Sequence, residues 1–407
     1  MTEDIRTSNG ARIGRSVLVP LAGFPAGVAI MSINTCYAHP AGRDMVQTYS
    51  PLIGSDTSSE VFARRSADNG ISWSAAETLF TPREVPQGVL RWGESCLFLD
   101  ESRDRILQAL NESIYPKGMF SGDMWRYTRI AYRVSRDGGR SFPEPRPLVC
   151  QGGDAEDWMA GVRYGENGAG ISFCAPIRLR DGRILLPCQK VPRGSDFQRP
   201  FSISWEAGFL LGSWRGEDLE WEAGPFLAVG PDRSTRGLCE PTLAELPDGT
   251  LFMVCRASNS AESPIQGFKW CSLLATGAKA WSEPFPLSYG DGTPVFSPAT
   301  GSRLIRHSRT GRLHWIGNIV PGNPDGNRPR YPLQMVEVDE GRWTLRRESL
   351  VVIDEKRPED HPLVQLSNFR VLEDRESGEI LVYLARVQER GEKDLSSPAY
   401  RYRVRLP

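Results

Sequence analysis

The residues best suited to proton transfer in this sequence are three acids and one histidine. Asp56 lies in GSDTSSEVF, Glu112 in NESIYP and His361 in EDHP, while Glu240 stands before an apolar hairpin that Arg256 ends. Two carboxylates can share acid and base work at one bond, and an imidazole titrates close to neutral pH. Each residue also has an ordinary alternative: an Asx turn for Asp56, a weak surface ion pair for Glu240 with Arg256, and a plain surface position for His361. Chemistry therefore depends on whether the fold brings these positions together.

The composition predicts a turn-rich all-β protein. The chain has 407 residues, 40% of them hydrophobic and 24% charged, with 40 glycines and 31 prolines. No long amphipathic helical pattern stands out. The net charge of -1 provides no bulk attraction to nucleic acid or to anionic membranes, so neither is expected as a partner.

Targeting and cofactor signals are not found in the sequence. The start, MTEDIRTSNGARIGRS, is polar, and no stretch approaches the roughly 18 apolar residues of a membrane span, so we expect a cytoplasmic location. The eight cysteines occur singly and the four histidines are scattered, which predicts neither a metal site nor a disulfide framework, and no cofactor. Cys188 and Cys255 end apolar runs, as free buried thiols do.

A glycine turn followed by a short apolar strand recurs along the chain. Clear copies begin at Gly182, Gly249, Gly311 and Gly378, and weaker ones are PAGVAIMSI at Gly27 and SRDRILQAL near Arg105. The copies lie roughly 60 to 80 residues apart, which suits one four-stranded unit, and radial repetition protects the edges of such units. The sequence therefore predicts one domain over residues 1–407, a six-bladed β-propeller with four-stranded antiparallel blades. We expect the terminal AYRYRVRLP to close the ring with the N-terminal segment.

Two octapeptides with one spacing mark turns inside this repeat. SADNGISW at 66–73 and SRDGGRSF at 135–142 share a Ser, an Asp, a Gly and an aromatic residue at the same offsets. Ser and Asp side chains bond nearby backbone N–H groups, Gly allows positive φ, and the aromatic ring can anchor the turn between blades. These roles are structural, so we expect Ser66, Asp68, Ser135 and Asp137 to serve the fold and not the chemistry.

The spacing S-x-D-x-G-x-x-W/F is that of the Asp box, or BNR repeat, and through it the chain resembles the sialidase (neuraminidase) superfamily of six-bladed propellers. RRSADNGISWS, YRVSRDGGRSFPEPRPL and EPTLAELPDGTLFMVCRAS are all similar to sialidase segments, and eroded boxes surround Trp281 and Trp343. The resemblance covers most of the chain. It implies the propeller that the repeats predict.

The same resemblance implies roles for individual residues. Sialidases hold the sugar carboxylate with three arginines, use an Asp as acid/base, and use a Tyr nucleophile that a Glu activates. An Arg fork binds a planar carboxylate bidentately, and the carboxylate does not repel a neutral phenol. By resemblance Glu240 is the activating Glu and Arg256 is one of the three arginines. Asp56 corresponds to the acid/base, with Asp44 as the alternative.

The other two arginines are each a choice between neighbours. The first should open blade one, where ARIGRSVLVP offers Arg15 or, as the alternative, Arg12. The third should lie in blade five, where GNPDGNRPRYPLQMVEV offers Arg330 or Arg328. The resemblance implies that Arg15, Arg256 and Arg330 bind the sugar carboxylate together.

The nucleophilic tyrosine has no counterpart in the sequence. In HPLVQLSNFRVLEDRESGEILVYLAR, Gln365 and Leu366 stand where the resemblance calls for a tyrosine. His361, or one of the loop tyrosines Tyr115 and Tyr289, could take part instead.

Two further groups of residues could contribute to a sugar site. Glu112 could form a pair with Asp56 or Glu240 for a direct two-carboxylate mechanism. Three tryptophans, Trp92, Trp125 and Trp158, could stack on sugar rings or pack between blades.

Residues and resemblance together predict a sialidase-like exo-glycoside hydrolase. Its expected substrate is a glycan or small glycoside with a terminal acidic sugar, sialic acid or a similar carboxylated sugar. The alternatives are a propeller enzyme with altered chemistry, such as another exo-glycosidase or a uronate lyase, and a non-catalytic glycan-binding propeller.

Overall fold

The computed structural model of the protein describes residues 3–6, 10–54, 57–117, 121–197 and 203–407. Its strands form six antiparallel sheets, and two 3-10 helices span Ser121–Tyr127 and Arg347–Ser349. The six sheets are the blades of a propeller, which confirms the predicted all-β architecture. Among the described residues, no helix has the length and apolar character that a membrane crossing requires.

Strands β1 (Glu3–Arg6) and β2 (Arg12–Val19) belong to the last blade, so blade 1 begins at β3. Blade 1 contains β3 (Ala29–Tyr37), β4 (Met45–Gly54), β5 (Thr57–Ser58), β6 (Val61–Ser66) and β7 (Glu77–Phe80). Blade 2 contains β8 (Arg83–Val85), β9 (Gly88–Asp100), β10 (Arg105–Pro116), β11 (Thr128–Ser135) and β12 (Arg146–Pro147). Blade 3 contains β13 (Ala169–Gly170), β14 (Ile177–Arg178), β15 (Ile184–Lys190), β16 (Glu206–Arg215) and β17 (Asp218–Ala223).

The remaining blades follow the same plan. Blade 4 contains β18 (Cys239–Glu245), β19 (Leu251–Arg256), β20 (Lys269–Leu274) and β21 (Phe285–Pro286). Blade 5 contains β22 (Arg303–Arg306), β23 (Leu313–Asn318), β24 (Leu333–Asp339), β25 (Thr344–Leu345) and β26 (Val351–Asp354). Blade 6 contains β27 (Arg370–Glu373), β28 (Ile380–Ala385) and β29 (Ala399–Arg405), followed in the sheet by β2 and β1. Each blade is built on four antiparallel strands, and all but blade 4 add one short strand.

The two ends of the chain close the ring, as predicted. In blade 6, β2 pairs antiparallel with β29, from Arg12 opposite Arg405 to Val19 opposite Ala399. The sheet therefore contains both the first and the last strands of the chain, and no edge is left open between the two ends.

The glycine turns fall between the first and second long strands of their blades. Gly182, Gly249, Gly311 and Gly378 all have positive φ there, which glycine adopts without a steric penalty. The predicted copy at Gly27 is wrong, because Gly27 precedes the first strand of blade 1, β3. The equivalent turn lies between β3 and β4, where Gly42 has φ +95. The count of six blades is unaffected.

The two Asp boxes are turns held by their own side chains. The Ser66 hydroxyl donates to Asp68 at 2.8 Å and accepts from the Gly70 N–H at 2.9 Å, and the Ser135 hydroxyl bonds Asp137 and Gly139 at 2.7 and 2.8 Å. Hydrogen bonds from Ser72 hold the pKa of the Asp68 carboxyl at about 2. The contacts agree with the predicted structural role.

Each box is anchored on a buried arginine of its own blade. Arg64 lies over the Trp73 ring at 4.7 Å and donates to Gln47, while Arg133 lies over the Phe142 ring at 4.6 Å and donates to Gln108. Burial lowers the pKa of both arginines to about 10. The box aromatics thus pack on cations that a glutamine orients, and blades 1 and 2 share this arrangement.

Apolar residues of adjacent blades pack face to face. Trp158 and Trp221 are fully buried between blades 2 and 3, so Trp158 is a core residue and does not face a sugar. All eight cysteines are free and buried, and burial raises the pKa of Cys188 and Cys255 well above the ordinary value. This confirms the interpretation of Cys188 and Cys255 as core thiols.

The innermost strands meet around an aromatic ring. Arg303 at the start of β22 lies over the Phe173 ring at 4.5 Å, and Arg370 at the start of β27 lies over it at 4.8 Å. Phe369 packs edge-on against the same ring at 5.2 Å, and Arg370 also donates to Asn34 on β3 at 3.2 Å. These contacts join blades 1, 3, 5 and 6 at the centre of the propeller.

Candidate functional site

One face of the propeller gathers the ends of equivalent strands. In blade 4, Cys239 at the start of β18 pairs with Arg256 at the end of β19, and in blade 2 Gly88 pairs with Pro116 in the same way. We call the face at which first strands begin and second strands end the upper face. The Asp boxes follow the third strands of their blades and therefore lie at the opposite, lower face.

Glu240 and Arg256 form a buried ion pair at the upper face of blade 4. Nη1 of Arg256 lies 2.6 Å from Oε1 of Glu240, and the two side chains are 17% and 11% exposed. This burial excludes the alternative of a surface contact across a hairpin. Among the described residues, Oε2 of Glu240 has no hydrogen-bond partner. The pair therefore contains one buried carboxylate oxygen whose hydrogen-bonding capacity is not used by the described residues.

A bulge turns Glu240 into this position. Cys239 pairs with Arg256 and Thr242 with Val254, so Glu240 and its neighbour stand opposite a single residue of β19. Glu240 has φ +47, an unfavourable value for a side chain of this size, and its N–H donates to Oε1 of Gln189 at 2.7 Å. Bulges commonly re-aim a side chain beside a site, and the Gln189 contact holds this one.

Lys269 lies beneath the pair, directly across the ladder from Arg256. Its side chain is fully buried, and its ammonium group donates to the carbonyls of Pro298 and Thr300 at 2.7 and 2.5 Å. Burial, together with the positive charges of Arg256 and Arg330, lowers the pKa of Lys269 to about 7, although Glu240 acts in the opposite direction. The charges of Arg256, Arg330 and Glu240 thus act on one buried amine.

Arg330 belongs to a chain of hydrogen bonds at the upper face of blades 5 and 6. Its Nη1 donates to Oε1 of Gln365 at 2.7 Å, and Nε2 of Gln365 donates to Oε1 of Gln388 at 2.7 Å. Arg328 donates to the same Gln388 oxygen at 2.8 Å. Both neighbours proposed from the sequence therefore converge here. Gln365 stands where the resemblance calls for a tyrosine, and its amide oxygen contacts the Arg330 guanidinium group directly.

Blade 2 contributes a second ion pair to the upper face. Oε1 of Glu112 on β10 lies 2.5 Å from Nη2 and 2.7 Å from Nε of Arg129 on β11, and both side chains are mostly buried. Tyr115 lies three residues further along β10, with the Arg91 guanidinium 5.6 Å from its ring centre. Glu112 and Tyr115 thus lie in the half of β10 that ends at the upper face.

The other residues predicted to act in acid–base chemistry are Asp56, its alternative Asp44, and His361. Asp56 lies outside the described residues. Asp44, its alternative, lies in the turn between β3 and β4 at the lower face, with its carbonyl bonded to the Ala38 N–H. His361 is half-buried at the upper face, and its Nδ1 accepts from the Leu363 N–H at 3.3 Å. That bond uses one ring nitrogen within its own turn.

Two assignments do not reach this site. Arg15 and Arg12 lie on β2, the fourth strand of blade 6, where they line a groove with Arg401 and Arg403. The structure does not bring Arg15 to the Glu240 pair, because the chain meets the upper face only at the end of β2. Tyr289 is buried in the core between blades 4 and 5 and bridges to the outer strand β25, so it is not a loop residue facing the centre.

Two of the three tryptophans are near the upper face. Trp125 contacts Trp205 edge-on with ring centres 4.5 Å apart, in an apolar cluster that also contains Cys239, the neighbour of Glu240. Trp92 packs against Phe80 at 5.3 Å. Trp125 therefore packs in the same apolar cluster as the residue that precedes Glu240.

Sequence reasoning missed Lys269, Gln388 and Arg129. Lys269 lies two residues before the buried Cys271 and therefore on the same face of β20. A lysine at a position where the strand alternation calls for an apolar residue is the feature that could have identified it. Gln388 and Arg129 had no such signal, because their roles come from partners on other strands. Among the described residues, no group of three His, Cys, Asp or Glu side chains could hold a metal ion.

Comparison with known proteins places the chain among repeat propellers. The model of the BNR repeat-like domain matches residues 56–344, which is more than half of the chain. No curated protein matches the sequence.

Solved structures with similar folds include sialidases. A protein of unknown function from Dyadobacter fermentans has 13% identity and a TM-score of 0.64 over 100% of this chain and 99% of its own. A Hadza microbial sialidase has 14% identity and a TM-score of 0.61 over 95% and 68%. The leech intramolecular trans-sialidase, complexed with 2,7-anhydro-Neu5Ac, has 11% identity and a TM-score of 0.61 over 96% and 70%. At these identities the likeness shows the fold alone.

Proposed function

Because the chain belongs to the BNR repeat-like domain family, with a sialidase-like propeller, we propose that it is an exo-glycoside hydrolase. Its substrate is a glycan or small glycoside with a terminal carboxylated sugar, sialic acid or a similar one. The observation that carries the proposal is the buried Glu240–Arg256 pair, whose second carboxylate oxygen has no partner among the described residues. Such an oxygen can take a proton in a dry site.

Arg256 and Arg330 bind the sugar carboxylate in this proposal. Both guanidinium groups act on Lys269, so they contribute positive charge to one region of the upper face. A planar fork of donors matches a carboxylate, and low local dielectric strengthens the attraction. Gln365 and Gln388 hold Arg330 in place, with Arg328 on the same acceptor.

Water is the nucleophile in this proposal, because Gln365 stands where sialidases place a tyrosine. Glu240 takes a proton from the water while the water oxygen forms a bond to the anomeric carbon. The bond from that carbon to the leaving-group oxygen breaks, and Asp56 or Glu112 protonates that oxygen. A single displacement of this kind inverts the anomeric configuration.

Because elimination requires a base but no nucleophile, an amide at Gln365 is also compatible with a second candidate, a uronate lyase. Glu240 would then remove the proton next to the carboxylate of a uronic acid, and the leaving-group oxygen would depart from the neighbouring carbon to give an unsaturated product. Arg256 and Arg330 would stabilise the charge that develops on the carboxylate.

The test is a turnover assay on acidic glycosides of sialic and uronic acids, with neutral glycosides as controls. Proton NMR follows the anomeric configuration of the first product, through H1 of a uronic acid or the H3 signals of a sialic acid, and ultraviolet absorbance follows unsaturation. Inverted product from an acidic glycoside supports the hydrolase, and unsaturated product supports the lyase. Saturable binding without turnover would contradict both and identify a glycan-binding propeller.

A further inference from the structure

A groove of about 320 Å³ lies on the outer strands of blade 6, away from the upper-face site. Five arginines line it, Arg12, Arg15, Arg401, Arg403 and Arg405, together with Ser16 and Glu379. Arg15 lies over the Tyr400 ring at 5.3 Å, and the other four arginines form one cluster. The three arginines of β29 alternate along the strand and so share one face of the sheet, and β2 places its groove residues beside them.

The cross-strand pairs in this groove are unfavourable for the fold alone. Arg12 stands directly opposite Arg405, and like charges in that position are destabilising. Gly14 stands opposite Arg403, and its lack of a side chain leaves space between Arg12 and Ser16. The sheet therefore keeps a repulsive pair beside an open space.

Two carboxylates orient part of the cluster without neutralising it. Glu379 is buried and accepts from Arg403 at 2.6 Å and from Arg405 at 2.9 Å, and Asp374 accepts from Arg403 at 3.0 Å. Although burial acts to raise it, these hydrogen bonds and charges lower the pKa of the Glu379 carboxyl. Both acids are therefore ionised and hold the two guanidinium groups in fixed directions.

The other two arginines have no carboxylate partner among the described residues. Arg401 donates to the Gly70 carbonyl at 2.7 Å, and Arg12 is exposed. Burial lowers the pKa of Arg401, and the charge of Arg403 acts in the same direction, whereas Tyr383, Asp374 and Glu379 act to raise it. Among the side chains that the structure describes, these four guanidinium groups thus share two carboxylates, Glu379 and Asp374.

We propose that this groove binds a phosphate or sulfate group, either free or as an ester on a sugar. A doubly charged tetrahedral oxyanion offers several acceptors to guanidinium donors, and the Ser16 hydroxyl adds another donor. Its charge would offset the excess positive charge and the repulsion between Arg12 and Arg405. This site is distinct from the proposed active site and does not depend on it.

Isothermal titration at constant ionic strength tests the proposal, with inorganic phosphate, glucose 6-phosphate and a sulfated disaccharide as separate titrants. We expect the wild-type protein to bind at least one of them at a single saturable site. Arg12→Ala should weaken that binding about tenfold, as the loss of one charge-assisted hydrogen bond predicts. Arg342→Ala removes an exposed arginine of blade 5 and is the matched control.

The titrants separate the sources of the anion. Tighter binding of the sugar phosphate or the sulfated sugar than of phosphate indicates an ester ligand, and equal binding indicates the free ion. Because the Arg12 side chain is exposed, its removal leaves the fold intact, and Arg405→Gln provides a second variant. Absence of saturable binding for all three titrants, or equal affinities in wild type, Arg12→Ala and Arg405→Gln, would overturn the proposal.

Discussion

The amide oxygen of Gln365 accepts a 2.7 Å hydrogen bond from Nη1 of Arg330. An amide can orient a cation, but it is a poor nucleophile. Gln365 can therefore position Arg330 for binding, but it cannot form a covalent intermediate with the substrate. The proposed reaction accordingly relies on Glu240 and water. The consequences can be tested residue by residue.

Glu240→Gln keeps the shape of the side chain and removes its capacity as a base. We expect kcat/KM for an acidic glycoside to fall by about 10² to 10⁴, because the variant cannot take a proton from water. Steady-state kinetics measure the loss, with the exposed Glu348→Gln as the control. An unchanged kcat in Glu240→Gln would remove Glu240 from the mechanism.

Gln388→Leu removes the acceptor that Gln365 and Arg328 share. Gln365, which holds Arg330, then loses its own hydrogen-bond acceptor. We expect KM to rise about tenfold, or 1.4 kcal/mol, with little change in kcat. Gln388→Glu keeps an acceptor oxygen and should recover most of the affinity, while Gln151→Leu on the exposed edge of blade 3 should have no effect. A fall in kcat alone would show that Gln388 does not act through binding.

Lys269 gives a dependence of stability on pH. Its pKa is about 7 in the folded protein and 10.5 for an ordinary lysine, so the unfolded chain binds more protons between those values. Stability should therefore rise with pH across this window, and the gain should be lost as the pH falls through about 7. Urea unfolding of wild type and Lys269→Met at pH 7.5, 8.5 and 9.5 should show the difference in unfolding free energy changing by up to about 1.4 kcal/mol per pH unit.

The control for that experiment is Lys279→Met, which removes an exposed lysine. Its unfolding free energy should follow that of the wild type with pH. Parallel pH dependence of Lys269→Met and wild type would contradict the shifted titration of Lys269.

Ser135→Ala tests the structural role of the Asp box. The hydroxyl is buried and bonds both Asp137 and the Gly139 N–H. Its loss should lower the free energy of unfolding by about 1 to 3 kcal/mol and leave kcat/KM unchanged. Urea unfolding measures the first quantity, with the exposed Thr81→Ala as the control. Loss of activity in a folded Ser135→Ala would favour a catalytic role for the box.

The fold was predictable from the sequence because each blade repeats a local pattern of turn and strand. The exception is blade 1, where Arg43 and Asp44 separate Gly42 from β4 and the apolar start of that strand is only two residues long, Met45 and Val46. The sequence points to Glu240, Arg256 and Arg330 because Glu240 lies at the start of an apolar hairpin, Arg256 ends it, and Arg330 precedes a strand. Arg15 is implied by the resemblance as the arginine that opens blade one, but it lies in the middle of β2, which reaches the upper face only at its end.

The rest of the site depends on partners that are remote in sequence. Gln388 matters through Gln365 and Arg328, and Gln189 through the Glu240 N–H. No local spacing predicts such pairs, because they form only when neighbouring blades are assembled.

The most direct test of the central claim compares an acidic glycoside with its uncharged carboxamide. If Arg256 and Arg330 recognise the carboxylate, wild-type kcat/KM should be at least about a hundredfold higher for the acid, and Arg330→Gln should lose most of that preference. Equal kcat/KM for the acid and the carboxamide in the wild type, or an undiminished preference in Arg330→Gln, would contradict the account.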